Sequence, residues 1–247
     1  MTTAGAAKSI DELMERASVA LADAAYFDAE SLALRALKRA RAADDFERVA
    51  RIALPLQEAR RQKRQLAIDS GVRMVLERMP RPKDLLPGCY LVQPPMIGVE
   101  ARDLRLALDA KKISALVICR EPMTRAGQWP VVGVSGGSMM EVVSLRVRIA
   151  PPPGVSPADS GITRDTWTDA PSASWFETAA EALGDEALAR VVPSDPAAWR
   201  VDDLLTFLDA HPDHEKLHQR LHDAARAAMF EPVPEQPKRK FADERSF

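Results

Sequence analysis

The chain has 247 residues and a formal net charge of -2, with 46% hydrophobic and 28% charged residues. That length suits one or two domains, and the composition excludes a disordered, collagen-like or disulfide-scaffold chain. A pI near 6.1 leaves no global basic field to draw the chain to nucleic acid or anionic lipid.

Met1 to Ile10 is small and polar and lacks the apolar core of a signal peptide. No apolar run approaches the roughly 20 residues that span a bilayer. The two cysteines, Cys89 and Cys119, lie in apolar, strand-like runs and form no CxxC. They read as buried thiols in a reducing compartment, so a cytoplasmic chain is expected. The excess of arginine over lysine and the abundance of alanine read as the coding bias of a GC-rich, bacterial genome.

Residues 1–70 read as helical. Ser9 and Glu12 have capping-box spacing, and Leu13, Ala17, Ala20 and Leu21 mark one helix face. Tyr26, Ala29, Ala33, Ala36 and Leu37 mark a second helix. Asp44 and Glu47 repeat the cap pattern before a third, carrying Phe46, Val49, Ile52 and Ala53, which Pro55 should kink or restart. Glu58 to Arg64 is charged all round and reads as solvated.

Residues 71–150 read as an α/β sheet domain, since after Asp69-Ser70-Gly71 the period changes to two. Val72, Met74 and Leu76 alternate with polar neighbours, Gly88 to Val92 reads as a strand, Ala101 to Lys112 as a helix, and Ile113 to Cys119 as a buried strand. Val131 to Val134 and Met140 to Ile149 flank the turn signal Ser135-Gly136-Gly137-Ser138. In the last strand Val143, Leu145, Val147 and Ile149 point one way and Ser144, Arg146 and Arg148 the other.

Residues 151–173, rich in proline, serine, glycine and aspartate, read as a linker. Helices resume over 174–230. Ser174 has capping-box spacing to Glu177, Gly184 should end the first helix, and Asp185 should cap the next. Val201 to Ala210 and Pro212 to Met229 read as two more, joined at His211-Pro212. Residues 231–247 read as a disordered tail, and its triplet Lys238-Arg239-Lys240, beside Asp243 and Glu244, is too small to make nucleic acid the expected partner. The predicted class is α+β: an N-terminal helical region, a small mixed or antiparallel sheet with one helix, and a C-terminal helical region.

Three segments carry functional signals. Ala17, Tyr26, Ala29, Ala36 and Leu37 have the spacing of one tetratricopeptide repeat, and residues 10–43 resemble that helical hairpin. Small residues at a helix crossing let two backbones approach. The resemblance implies a protein-binding module, although no second copy follows in the next 34 residues.

All four histidines lie between 211 and 222, and His214-Glu215-Lys216-Leu217-His218 satisfies HExxH. On a helix, that spacing puts two imidazoles on one face to share Zn²⁺, with the glutamate activating the bound water. The motif resembles that of the zincin metalloproteases, and the resemblance implies His214 and His218 as ligands and Glu215 as the base. Lys216 departs from the uncharged interior of that motif. His222, about 12 Å along the axis from His214, cannot join them. A third ligand would have to be a carboxylate such as Glu177, Glu181, Asp202 or Asp203. The same segment also reads as an amphipathic helix with the stripe Leu217, Leu221, Ala224 and Ala228.

The loop Arg120 to Pro130 links two apolar strands and gathers guanidinium, carboxylate, hydroxyl and indole groups. Arg120, Glu121, Thr124, Arg125 and Trp129, with Arg146 and Arg148 of the last strand, are candidates to hold a small anionic ligand or a peptide. They also suit purely structural roles, with an arginine pairing Glu121.

The leading expectation is a non-enzymatic cytoplasmic interaction or scaffold protein with a protein partner, no membrane association and no cofactor. The alternatives are an HExxH hydrolase using zinc and a small-ligand module at the 120–130 loop.

Overall fold

The computed structural model describes residues 3–136, 142–155 and 169–235. Among them run seven helices and five strands. They are α1 (Thr3–Ala22), α2 (Tyr26–Ala42), α3 (Phe46–Asp69), β1 (Arg73–Leu76), β2 (Gly88–Val92) and α4 (Gly98–Ala110). Then follow β3 (Ala115–Arg120), β4 (Trp129–Val134), β5 (Ser144–Ile149), α5 (Ala173–Ala189), α6 (Ala197–Ala210) and α7 (Glu215–Ala228). The α+β class is as the patterning predicts. No helix among the described residues is long and apolar enough to cross a membrane. The Gly137–Ser138 half of the predicted hairpin turn, most of the 151–173 linker and the tail beyond Glu235 lie outside the described residues.

The sheet runs β1-β2-β3-β4-β5, with the first three strands parallel and the last two pairings antiparallel. Alternation gives it two apolar faces. Cys89 and Leu91 sit opposite Leu116 and Ile118 and point to one. Tyr90 and Val92 sit opposite Val117 and Cys119 and point to the other, which α4 covers with Ala101, Leu104 and Leu108. The first face joins a core that includes Ile10 and Leu13 of α1, Leu56 of α3, Phe176 of α5 and Leu221 of α7. Both helical regions therefore share one core with the sheet, as their small separate apolar content requires.

Helix boundaries differ from the sequence reading where local chemistry is degenerate. α1 starts at Thr3, so Ser9 lies inside it, where its hydroxyl accepts from Arg39 instead of capping. The caps of α3 and α5 are Asp45 and Ser172, which accept from the Arg48 and Trp175 amides at 3.1 and 3.3 Å. Several short polar residues stand at each start, and the chain uses the one its preceding turn places. α3 runs on through Pro55. Glu231, read as tail, instead accepts from the Ala197 amide at 2.7 Å and serves as the missing cap of α6.

The turns after α1 and α2 are alike. Ala24 and Asp44 take positive φ of 57° and 51°. The Ala25 amide reaches the Ala20 carbonyl, and the Asp45 amide the Ala40 carbonyl, at 2.8 and 2.9 Å. Each is the six-to-one bond of a Schellman turn. The same turn thus recurs 20 residues on, and two helical hairpins are stacked by one local rule.

Candidate functional site

The four histidines meet α3 and α5, but HExxH is not displayed there as a zinc motif. His214 is the N-cap of α7, with φ -87° and ψ 115°, so it stands outside the helix that carries His218. His218 Nδ1 lies 3.0 Å from the His214 carbonyl, and its Nε2 lies 3.2 Å from the Arg60 guanidinium. Since a carbonyl only accepts and a guanidinium only donates, Nδ1 carries the proton and the Nε2 lone pair is occupied. Arg64 holds Glu215 at 2.5 Å, and Gln57 approaches it at 3.4 Å. His222 donates to the Ala50 carbonyl through Nδ1 at 3.0 Å, and His211 donates to the Ala180 carbonyl through Nε2 at 2.8 Å. The pairing of His214 with His218 on one face is corrected: a cap residue does not share the helical periodicity of the residues after it.

The charged stretch 58–64, read as solvated, lies at this interface. Glu30, Arg60 and Lys63 are all buried. Arg60 Nε meets Glu30 at 2.7 Å, and Lys63 Nζ meets Glu30 and Asp109 at 2.5 Å each. One cluster thereby links α2, α3, α4 and, through His218, α7. Burial alone would raise the Glu30 carboxyl, but the Arg60 and Lys63 charges outweigh it and hold the group at about 2. Burial lowers both His211 and His218 to about 3, with neighbouring cations acting in the same direction, so both are neutral in the fold.

His214 differs from its neighbours. Its side chain is fully buried, and neither ring nitrogen makes a hydrogen bond of good geometry. It packs on Gly184, which does not end α5 as predicted but sits within it. A methyl group at 184 would stand 2.0 Å from His214 Cγ. On an open helix Gly→Ala stabilises by roughly 1 kcal/mol. Here Gly184→Ala is expected to cost about 1–3 kcal/mol by overpacking. Urea unfolding of Gly184→Ala, His214→Ala and the double variant measures it, and additive effects would exclude the steric coupling.

The 120–130 loop is divided between core and surface. Arg120 is fully buried, with Nη2 donating to Gln93 Oε1 at 2.6 Å and the guanidinium 4.1 Å from the Trp129 ring centre. The reason is register: Arg120 pairs with Val131, so it shares the core face with Trp129 and Val131. Trp129 lies in the core, edge-on to Trp175 at 5.7 Å, and does not cover a sheet edge. Neither residue is presented to a ligand, which corrects that part of the candidate set. Glu121 is held at 2.6 Å by Arg146, one of the four arginines expected to do so. Thr124 closes the turn by accepting from the Gln128 amide at 3.1 Å, and Gly127 takes φ 72°. Arg125 and Arg148 are exposed.

Two concavities lie among the described residues. A cavity of about 20 Å³ beside Arg102, Arg105, Cys119 and His211 has room for one water. An open groove of about 370 Å³ runs along α1 and α2, bounded by Glu15, Val19, Ala20, Asp23, Asp28 and Leu32. Sequence reasoning missed Glu30, Asp185, Gly184 and this groove. Compared with known proteins, the chain matches no family model, no curated protein and no solved structure.

Proposed function

We propose that the chain is a protein-interaction module that binds a basic segment of a partner along α1 and α2. The observation that carries this reading is the groove. It sets the apolar side chains Val19 and Leu32 beside the carboxylates Glu15, Asp23 and Asp28, the last of them paired with Lys112 at 2.8 Å, with Arg16 the one cation lining it. Val19 is 53% exposed, which suits an anchor contact. The repeated Schellman turns stack α1, α2 and α3 side by side, the arrangement by which helical repeats present a binding surface. Arg60, Arg64 and His218, around HExxH, are engaged in internal pairs, which suits a supporting role beneath that surface.

A photo-crosslinking residue at position 19 or 32 tests the reading in cells that express the chain. One discrete adduct is expected from each position, lost on Glu15→Lys with Asp23→Lys. An adduct formed equally from position 148, or unaffected by the charge reversal, would remove the groove as the binding element.

A further inference from the structure

Two local costs coincide where α5 meets the start of α7. A buried imidazole without hydrogen bonds and a glycine inside a helix each cost stability. His214 shows the first and Gly184 the second, and the glycine is what admits the ring. On either side of Gly184, one helical turn apart, stand Glu181 and Asp185. His214 Nε2 lies 3.3 Å from Glu181 Oε2 and 3.4 Å from Asp185 Oδ1. The three donor atoms all lie within 4.8 Å of one another.

Donors bound at 2.0–2.1 Å around a tetrahedral ion are separated by about 1.6 times that distance, or roughly 3.3–3.4 Å. Both separations from the imidazole match this edge. We propose that Glu181, Asp185 and His214 form a binding site for a first-row divalent cation, with Zn²⁺ the best fit. An imidazole with two carboxylates is a zinc-type donor set, whereas Ca²⁺ and Mg²⁺ favour oxygen alone. The imidazole closes the inner side, and the carboxylates, 44% and 53% exposed, open an entry path.

Lys216 is the competitor. Its ammonium lies 2.8 Å from Asp185 Oδ1 and 3.7 Å from Glu181 Oε2, and it must leave when a cation enters. Its side chain is 55% exposed, so it can swing into water. The Arg64 guanidinium, 3.9 Å from Glu181, adds a second opposing charge. The site therefore binds more weakly than a dedicated structural zinc centre. Only His214 of the HExxH pair takes part.

Calorimetric titration of Zn²⁺ into the full chain tests the proposal. One ion per chain is expected, with affinity at least about tenfold lower in both Glu181→Gln and Asp185→Asn, and severalfold higher in Lys216→Met. The substitutions lie on the surface, so lost binding is separable from lost folding. A thermal melt gives a second readout: Zn²⁺ should raise Tm in the wild type and not in the carboxamide variants. Absence of saturable binding, or equal affinity in the wild type and both carboxamide variants, would overturn the assignment.

Discussion

Glu30→Gln should destabilise the fold by about 3–5 kcal/mol, because it strands Arg60 as an uncompensated cation in the interior and leaves Lys63 with Asp109 alone. In the native chain the Glu30 carboxylate sits between the two cations, at 2.7 Å from Arg60 and 2.5 Å from Lys63. The same pair predicts a pH effect. The folded carboxyl is held at about 2 against an ordinary value of 4.5. A depressed carboxyl contributes stability that is present above pH 4.5 and lost as pH falls towards 2. The shift corresponds to about 3 kcal/mol, near the lower end of the mutational estimate. Denaturant unfolding at pH 7 checks the first effect. Replacing all three residues with apolar ones should recover most of the loss. A Glu30→Gln chain as stable as wild type would show that the cluster is hydrated and energetically idle.

The chain should also lose stability as pH falls from 6.5 to about 5. His211 and His218 are buried and neutral, each at about 3 against an ordinary 6.5. The unfolded chain therefore takes up protons in this range and the native chain does not. Stability is full above pH 6.5 and declines as pH falls, at up to about 1.4 kcal/mol per pH unit for each histidine. By pH 5 the two together remove about 4 kcal/mol, a fall in Tm on the order of 10 °C. His218→Leu should flatten the slope by about half between pH 6.5 and 5, even if it lowers stability at pH 8. An unchanged slope would mean that His218 protonates freely in the fold. This acid sensitivity is structural and needs neither the groove nor a metal.

What was legible in the sequence followed from period and local chemistry. Two-residue alternation located β1 and the outward arginines of β5, because strand geometry sends successive side chains to opposite faces, and short apolar runs located β2 and β3. The apolar stripe Leu217, Leu221, Ala224 and Ala228 is buried as read, since helical spacing alone puts these residues on one side. An arginine partner for Glu121 was legible too, because a turn with several nearby arginines leaves a carboxylate few other partners, but that it is Arg146 was not.

Those local rules determined the α+β class, the strand positions, the burial of both thiols and the absence of a long apolar span. Tertiary structure alone decided which polar residues are interior. Arg60 and Lys63 lie on the face of α3 that meets Glu30, and nothing local separates that face from a solvated one. Arg120 follows Leu116 and Ile118 at the two-residue period and so turns inside, but only folding brings it the Gln93 and Trp129 that accommodate a buried guanidinium. The meaning of HExxH depended on a helix start: moving His214 from the first turn to the cap separates it from His218 and turns it towards Glu181 and Asp185. Gly184, which reads as a helix stop, is kept inside α5 because an imidazole from 30 residues away fills the space where a methyl would stand. Periodicity is a property of neighbours along the chain, whereas these contacts join residues that only folding brings together.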